Sequence, residues 1–191
     1  MKPIPVAAPV SVARRSRRAA GFTLVELVVM VAIAGIVVAV GVPSFLHALA
    51  RHAIASQAEE LQDAARTGRS EAMKRSGPVV LCRTEEDSPA HCAGSGGSWQ
   101  TWVLFTDVAR SGTFAVGDAV LRQRVDASPR TTVTGDAASI RFEATGIAQA
   151  DTGSVVIVLG ERGVSDRANR RQLCVNPRGE VAIVAGDAAC P

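Results

Sequence analysis

Few residues in this chain could carry chemistry: four cysteines (Cys82, Cys92, Cys174, Cys190), three histidines (His47, His52, His91) and one carboxylate, Glu26, in an otherwise apolar run. An even number of cysteines in an oxidising compartment reads as two disulfides, with three possible pairings. The sequential pairing Cys82–Cys92 and Cys174–Cys190 is favoured. The first would enclose a turn-rich segment containing Ser88-Pro89 and Gly94-Ser95-Gly96-Gly97, and the second would tie down the last residues. A zinc site on His91 and Cys92 would need a ligand spacing that is absent here. His47 and His52 are five apart, which does not place them on one helix face. Asp107-Val108-Ala109-Arg110-Ser111-Gly112 with Asp118 invites a calcium reading, but the alternating acidic ligands are missing and Arg110 intrudes, so a hairpin turn is expected. No serine, histidine and acid are spaced as a catalytic group, and nothing resembles a nucleophile elbow. The chain reads as a non-enzyme with no cofactor and no metal.

Glu26 is the residue that most needs an explanation. It is the only formal charge between Arg18 and Arg51, and a charge in a membrane-length segment is costly enough to mark function. The segment from Phe22 to Val42 is rich in Val, Ala and Ile; at about 1.5 Å per residue it spans roughly 30 Å, enough to cross a bilayer. Pro43 lacks a backbone donor and is expected to kink the helix. Beyond it, Leu46, Leu49, Ile54, Ala58, Leu61, Ala65, Ala72 and Met73 recur near helical spacing with charges between them, which predicts an amphipathic helix ended by Gly77-Pro78. Strands are predicted at 79–83, 100–105, 119–125, 131–134, 139–142, 154–159, 171–175 and 180–184, with a hairpin turn at Asn176-Pro177-Arg178-Gly179. Trp99 and Trp102 are expected on opposite faces of one strand, one in the core and one on the surface.

Five basic residues (Lys2, Arg14, Arg15, Arg17, Arg18) precede a Gly21-Phe22 junction, Glu26 follows four residues beyond Phe22, and Pro43 closes the apolar run. This pattern resembles the N-terminus of type IV prepilins and type II secretion pseudopilins. The resemblance implies cleavage by a prepilin peptidase between Gly21 and Phe22, methylation of the new N-terminus, and packing of the helix into a filament core. There Glu26 would pair with a new α-amino group. An ordinary removable signal peptide, cut near Ala48-Leu49-Ala50, is the alternative; it leaves Glu26 unexplained and its apolar run is too long.

Further along, Arg69-Ser70-Glu71-Ala72-Met73-Lys74-Arg75 leading to Pro78-Val79-Val80-Leu81-Cys82, then Trp99 followed by Trp102-Val103-Leu104-Phe105-Thr106-Asp107, then Gly117-Asp118-Ala119-Val120-Leu121-Arg122, are similar in order and spacing to the FimT/GspH group of minor pilins and pseudopilins. The resemblance implies an α+β, pilin-like fold: a long N-terminal helix, transmembrane and then amphipathic, packed on an antiparallel β-sandwich-like head. The expected divisions are a leader at 1–21, a transmembrane or filament-core helix at 22–43, an amphipathic helix at 44–76 and a β head at 77–191.

Loss of the leader would remove five of the 21 basic residues and no acidic one, leaving 16 basic against 18 acidic side chains. The basic balance of the whole chain is therefore a topology signal: positive residues stay cytoplasmic and the head emerges in the periplasm, anchored to the inner membrane. One local exception is the C-terminal cluster around Arg167, Arg170 and Arg171. FimT proteins of DNA uptake carry a Gly-Arg-x-Arg motif before the corresponding cysteine, whereas this chain has Asn169-Arg170-Arg171-Gln172 before Leu173-Cys174. DNA contact through these arginines is one expectation and a solvated loop the other. The expected partners are prepilin peptidase, other pilins or pseudopilins in a filament, the inner membrane and, through those arginines, DNA. The expected function is that of a minor type IV pilin; the alternatives are a minor pseudopilin of type II secretion and a membrane-anchored periplasmic β-domain binding protein.

Overall fold

The computed structural model describes residues 22–85, 88–150, 152–162 and 169–191. The described residues divide between Pro43 and Ser44 into two compact units. One helix, α1, is assigned over Leu24–Arg75. Thr23 starts it: its hydroxyl oxygen accepts the Glu26 N–H at 3.2 Å and its carbonyl accepts the Leu27 N–H at 3.1 Å. Thr23-Leu24-Val25-Glu26 has the residue pattern of a capping box, and it puts an acidic side chain in the first turn, where the helix dipole is positive. At the other end Gly77 N–H donates to Ala72 O and Ser76 N–H to Met73 O, the two hydrogen bonds of a Schellman cap. The left-handed residue there is Ser76, with φ 52°, and not the neighbouring glycine.

The first stretch of α1 is apolar all round, and the window that best fits a membrane span buries none of its surface within the chain. From residue 44 onward the pattern changes to a stripe. Ala50, Ile54, Gln57, Ala58, Leu61, Ala64, Ala65, Gly68 and Ala72 are buried, at steps of three and four residues. Leu46 and Met73, expected on that stripe, are instead 49% and 46% exposed; the buried line starts at Ala50, one helical turn beyond Leu46, and ends at Ala72, the residue before Met73.

Among the described residues eleven strands follow: β1 (Val79–Glu85), β2 (Ser88–Cys92), β3 (Gly97–Ser98), β4 (Trp102–Thr106), β5 (Val120–Arg124), β6 (Thr131–Gly135), β7 (Ser139–Phe142), β8 (Ala148–Gln149), β9 (Val155–Glu161), β10 (Arg171–Val175) and β11 (Val181–Ala185). They form two antiparallel sheets. One has the order β5-β4-β1-β7-β8, with β2 also paired to β1; the other has the order β11-β10-β9-β6-β3. In the first sheet Leu81 lies opposite Leu104 and Ile140, and Val79 opposite Phe142. These residues share one core with Ile54, Ala58 and Leu61 of the helix and with Val133, Ile157 and Leu173 of the second sheet. The alternate residues Val80, Cys82, Val103 and Phe105 face away and make a second, smaller core covered by Cys92 and Phe114. Burial on both faces explains why β1 and β4 read as continuous apolar runs.

Trp99 and Trp102 are both buried, correcting the expectation that one would face solvent. Trp99 precedes β4, so strand alternation does not apply to it. Its indole N–H donates to Ala137 O at 2.9 Å, and its ring lies over Gly135, where a Cβ would come within 2.6 Å of the ring. The turn between β10 and β11 forms as expected. Gly179 N–H donates to Asn176 O at 2.8 Å, and the Asn176 side-chain oxygen accepts Arg178 and Glu180 N–H at 3.1 Å each.

Gly68 sets how closely helix and first sheet can meet: a Cβ there would lie 2.9 Å from Leu104 Cδ1 and 3.0 Å from Phe142 Cδ2. Gly68→Val should therefore destabilise the head by about 1–3 kcal/mol through overpacking, read as a lower denaturation midpoint at an unchanged slope. An unchanged midpoint would show that the helix is free to move away.

Candidate functional site

The features that could carry function fall into three places: the start of α1, the outer faces of the two sheets, and the end of the head where Ser44 begins. At the start of α1, Phe22 is 68% exposed. Gly21 lies outside the described residues. Glu26 sits in the first helical turn with its backbone capped by Thr23. It is exposed, and no described residue surrounds its carboxylate.

On the sheets, the structure joins Cys82 to Cys92 and Cys174 to Cys190, with Cα atoms 5.5 Å and 5.6 Å apart. Cys82 faces out of the first sheet into the smaller core, so its bridge binds β2 over that face. Cys174 lies between Leu173 and Val175, both buried in the main core, and its bridge brings the C-terminal residues back along β10 and β11. Beside the first bridge, residues 107–118 close over the same face. Buried Asp107 accepts Ser111 N–H at 2.8 Å and Gly112 N–H at 2.9 Å, and Arg141 Nη1 lies 3.3 Å away. Asp118 accepts Val108 and Ala115 N–H at 2.8 Å each. Both carboxylates thus hold the loop that seats Phe114 edge-on against Phe105, at 5.4 Å between centroids. This is a turn built on side-chain acceptors. Among the described residues no three His, Cys, Asp or Glu side chains are grouped to hold a metal.

The third place is defined by register. Thr131 pairs with Glu161, Leu159 with Arg171, and Arg171 with Ala185, so these strand ends gather on one side. Glu161 Oε1 lies 3.2 Å from His47 Nδ1 on the helix, which fixes that side as the one where residue 44 begins. Arg170 Nη1 is 3.6 Å from Asp187 Oδ1, so this arginine of the C-terminal cluster has an acidic partner. The chain turns at Gly186, whose N–H donates to Arg170 O at 3.0 Å, and brings Asp187 alongside. Arg171 is exposed at the start of β10. Arg167 lies outside the described residues.

Residues 57–179, nearly two thirds of the sequence, match the family described as Type II transport protein GspH. The chain belongs to the GspH family. Residues 16–42 match the prokaryotic N-terminal methylation motif. Two crystal forms of the type IV minor pilin FimU of Pseudomonas aeruginosa (strain PAO1) have similar structures. One is 20% identical, covers 70% of this chain and 90% of that chain, and has a TM-score of 0.53; the other is 21% identical, covers 68% and 90%, and has a TM-score of 0.49. The minor pseudopilin EpsH from the type 2 secretion system of Vibrio cholerae is 10% identical, covers 68% and 94%, and has a TM-score of 0.48. At these identities the likeness speaks for the fold alone. No curated protein matches the sequence significantly. GspH-family chains are minor type IV pilin and pseudopilin subunits, structural proteins with one long N-terminal helix and antiparallel sheets.

Within this GspH-family head, several residues escaped the sequence reading. Gln57 is buried and accepts the Thr131 hydroxyl at 2.7 Å, joining helix to second sheet. Arg122 pairs with Asp63 and Arg124 with Glu60, joining helix to the edge strand β5. The Thr23 cap also went unread, although its spacing to Glu26 marks it; the others depend on contacts between residues about 60 to 75 positions apart, which spacing does not show.

Replacing both Cys174 and Cys190 by serine should cost about 3 kcal/mol, the chain-entropy value for a loop of roughly 15 residues. Denaturant melts of the oxidised parent and the double variant would measure it. Equal midpoints would mean that β10 and β11 hold the C-terminus without the bridge.

Proposed function

We propose that this GspH-family chain is a minor type IV pilin. It is made as a prepilin, cut between Gly21 and Phe22, N-methylated at Phe22, held in the inner membrane by its apolar helix with the head in the periplasm, and drawn from there into a filament. The observation that supports this most directly is a contrast along α1. Residues 50–72 have their partners within the chain, whereas Val28, Val31, Ile36, Val37 and Val40 are 56–71% exposed. Burying one such side chain is worth about 1.5–3 kcal/mol, so this surface must be covered by lipid or by other helices. A bilayer covers it before assembly and neighbouring subunits cover it afterwards. The family's description as a type II transport protein favours a second reading, a minor pseudopilin with the same processing and a different filament.

Glu26 gains its role from processing. Among the described residues its carboxylate meets the helix dipole, worth about 0.3–1 kcal/mol, and no cation. A cut after Gly21 would create an ammonium on a neighbouring subunit with which it can pair in a dry core. The family's structural character supports a role in assembly.

Mass spectrometry of the purified membrane form should find N-methylated Phe22 as its first residue; a terminus at Arg51 would support the signal-peptide alternative. Glu26→Ala should still be cut, since Thr23 continues to cap the helix, yet enter sheared filaments at least about tenfold less, the equivalent of 1.4 kcal/mol. Full incorporation of that variant would remove the charge pair from the mechanism.

A further inference from the structure

The end of the head where residue 44 begins carries cations that the fold does not use. Among the described residues, Arg51, Arg130, Arg162 and Arg171 have no carboxylate within ion-pair distance, while Arg122, Arg124 and Arg170 each have one and Arg141 has two. Arg130 and Arg162 are held side by side by a backbone bond, Arg162 N–H to Arg130 O at 2.9 Å. With Leu46, Ala50, Pro129 and Glu161 they line an open groove of about 280 Å³. Its one carboxylate, Glu161, already faces His47. Phe45 and Leu46 on the adjacent helical turn are 64% and 49% exposed.

We propose that this end of the head docks on anionic phospholipid of the outer leaflet of the membrane that holds α1. The inference rests on the anchoring reading above. Apolar side chains beside a cationic rim are the composition of surfaces that sit at a lipid interface. The spacing agrees: Arg51 follows Leu46 by five residues, a rise of about 7.5 Å, close to the thickness of one polar headgroup layer. Arginine stems can cover apolar surface while their guanidinium groups reach phosphate. The same cations could in principle meet DNA phosphates, but they lie on the side from which the chain runs back to its apolar helix. The opposite side, with Arg178 in the β10–β11 turn, is the one free of that constraint. The docked head would hold the subunit at a fixed height before assembly, with a grip that weakens as salt rises.

The test uses a soluble form beginning at Ser44, the compact unit that contains the whole core and both disulfides. It should co-sediment with vesicles of phosphatidylcholine containing roughly 30% phosphatidylglycerol and not with phosphatidylcholine alone. Arg130→Gln with Arg162→Gln should lower the partition coefficient about 25-fold, as two contacts each worth about fivefold. Arg178→Gln at the opposite end should leave it unchanged. Circular dichroism and non-reducing mass analysis establish that each variant is folded and bridged. Equal binding to both kinds of vesicle, no binding to either, or a double variant that binds like the parent would overturn the proposal. So would abolition of binding by inorganic phosphate, which would indicate a pocket for the free ion, or retention on duplex DNA without vesicle binding, which would assign the cations to nucleic acid. Carbonate extraction of the full chain from membranes tests the anchor separately: an anchored full chain with a head indifferent to phosphatidylglycerol defeats only the docking.

Discussion

Small side chains at Ala58, Ala64, Ala65, Gly68 and Ala72 set the distance between the second half of α1 and the sheets, and the rest of the head is arranged around that distance. With a glycine above Leu104 and Phe142, the helix lies close enough for Ile54 and Leu61 to enter a core supplied by both sheets. Interiors pack at crystal-like density, so a larger residue on this line would displace several neighbours together. The close approach also brings polar atoms within reach. Gln57 meets Thr131, Asp63 meets Arg122 and Glu60 meets Arg124. The buried pair joins helix and second sheet in one register, since a shift of a single residue would leave a polar group without its partner.

The overall plan was legible in the sequence because its signals are local. An apolar run that gives way to a three-and-four-residue stripe marks the change in the helix's surroundings, and eight of the eleven strands showed as apolar or β-branched runs between turn residues. The three that did not show were hidden for physical reasons. β2 contains Ser88-Pro89 and owes its pairing to β1 and to the bridge at Cys92, while β3 and β8 are two residues each and pair only because their neighbours are already placed. The tryptophan error has a similar origin. Alternation assigns faces only inside a strand, and Trp99 lies before one, turned inward by its bond to Ala137.

The candidate sites divide in the same way. Residues whose role is written in their immediate neighbours, such as Thr23 with Glu26 or Asn176 with Gly179, can be read directly. The surroundings of Arg170 cannot, because Asp187 reaches it only after β11 has formed and the chain has turned at Gly186. The two bridges share a design that no spacing reveals: each lies on the side of its sheet that the helix does not cover, where a residue such as Cys82 would otherwise be open to water.

The link between α1 and β1 has a mechanical consequence. Ser76 and Gly77 reverse the chain so that the strand directly after the helix is the central one of its sheet, hydrogen-bonded to β4 on one side and β7 on the other. A pull along the helix from its N-terminal end therefore loads the buried stripe from Ala50 to Ala72 in shear, where all contacts must slide at once. It cannot peel them away one after another. Any force that reaches the reversal is passed to two antiparallel ladders in parallel. A head pulled through the second half of its helix would thus stay intact.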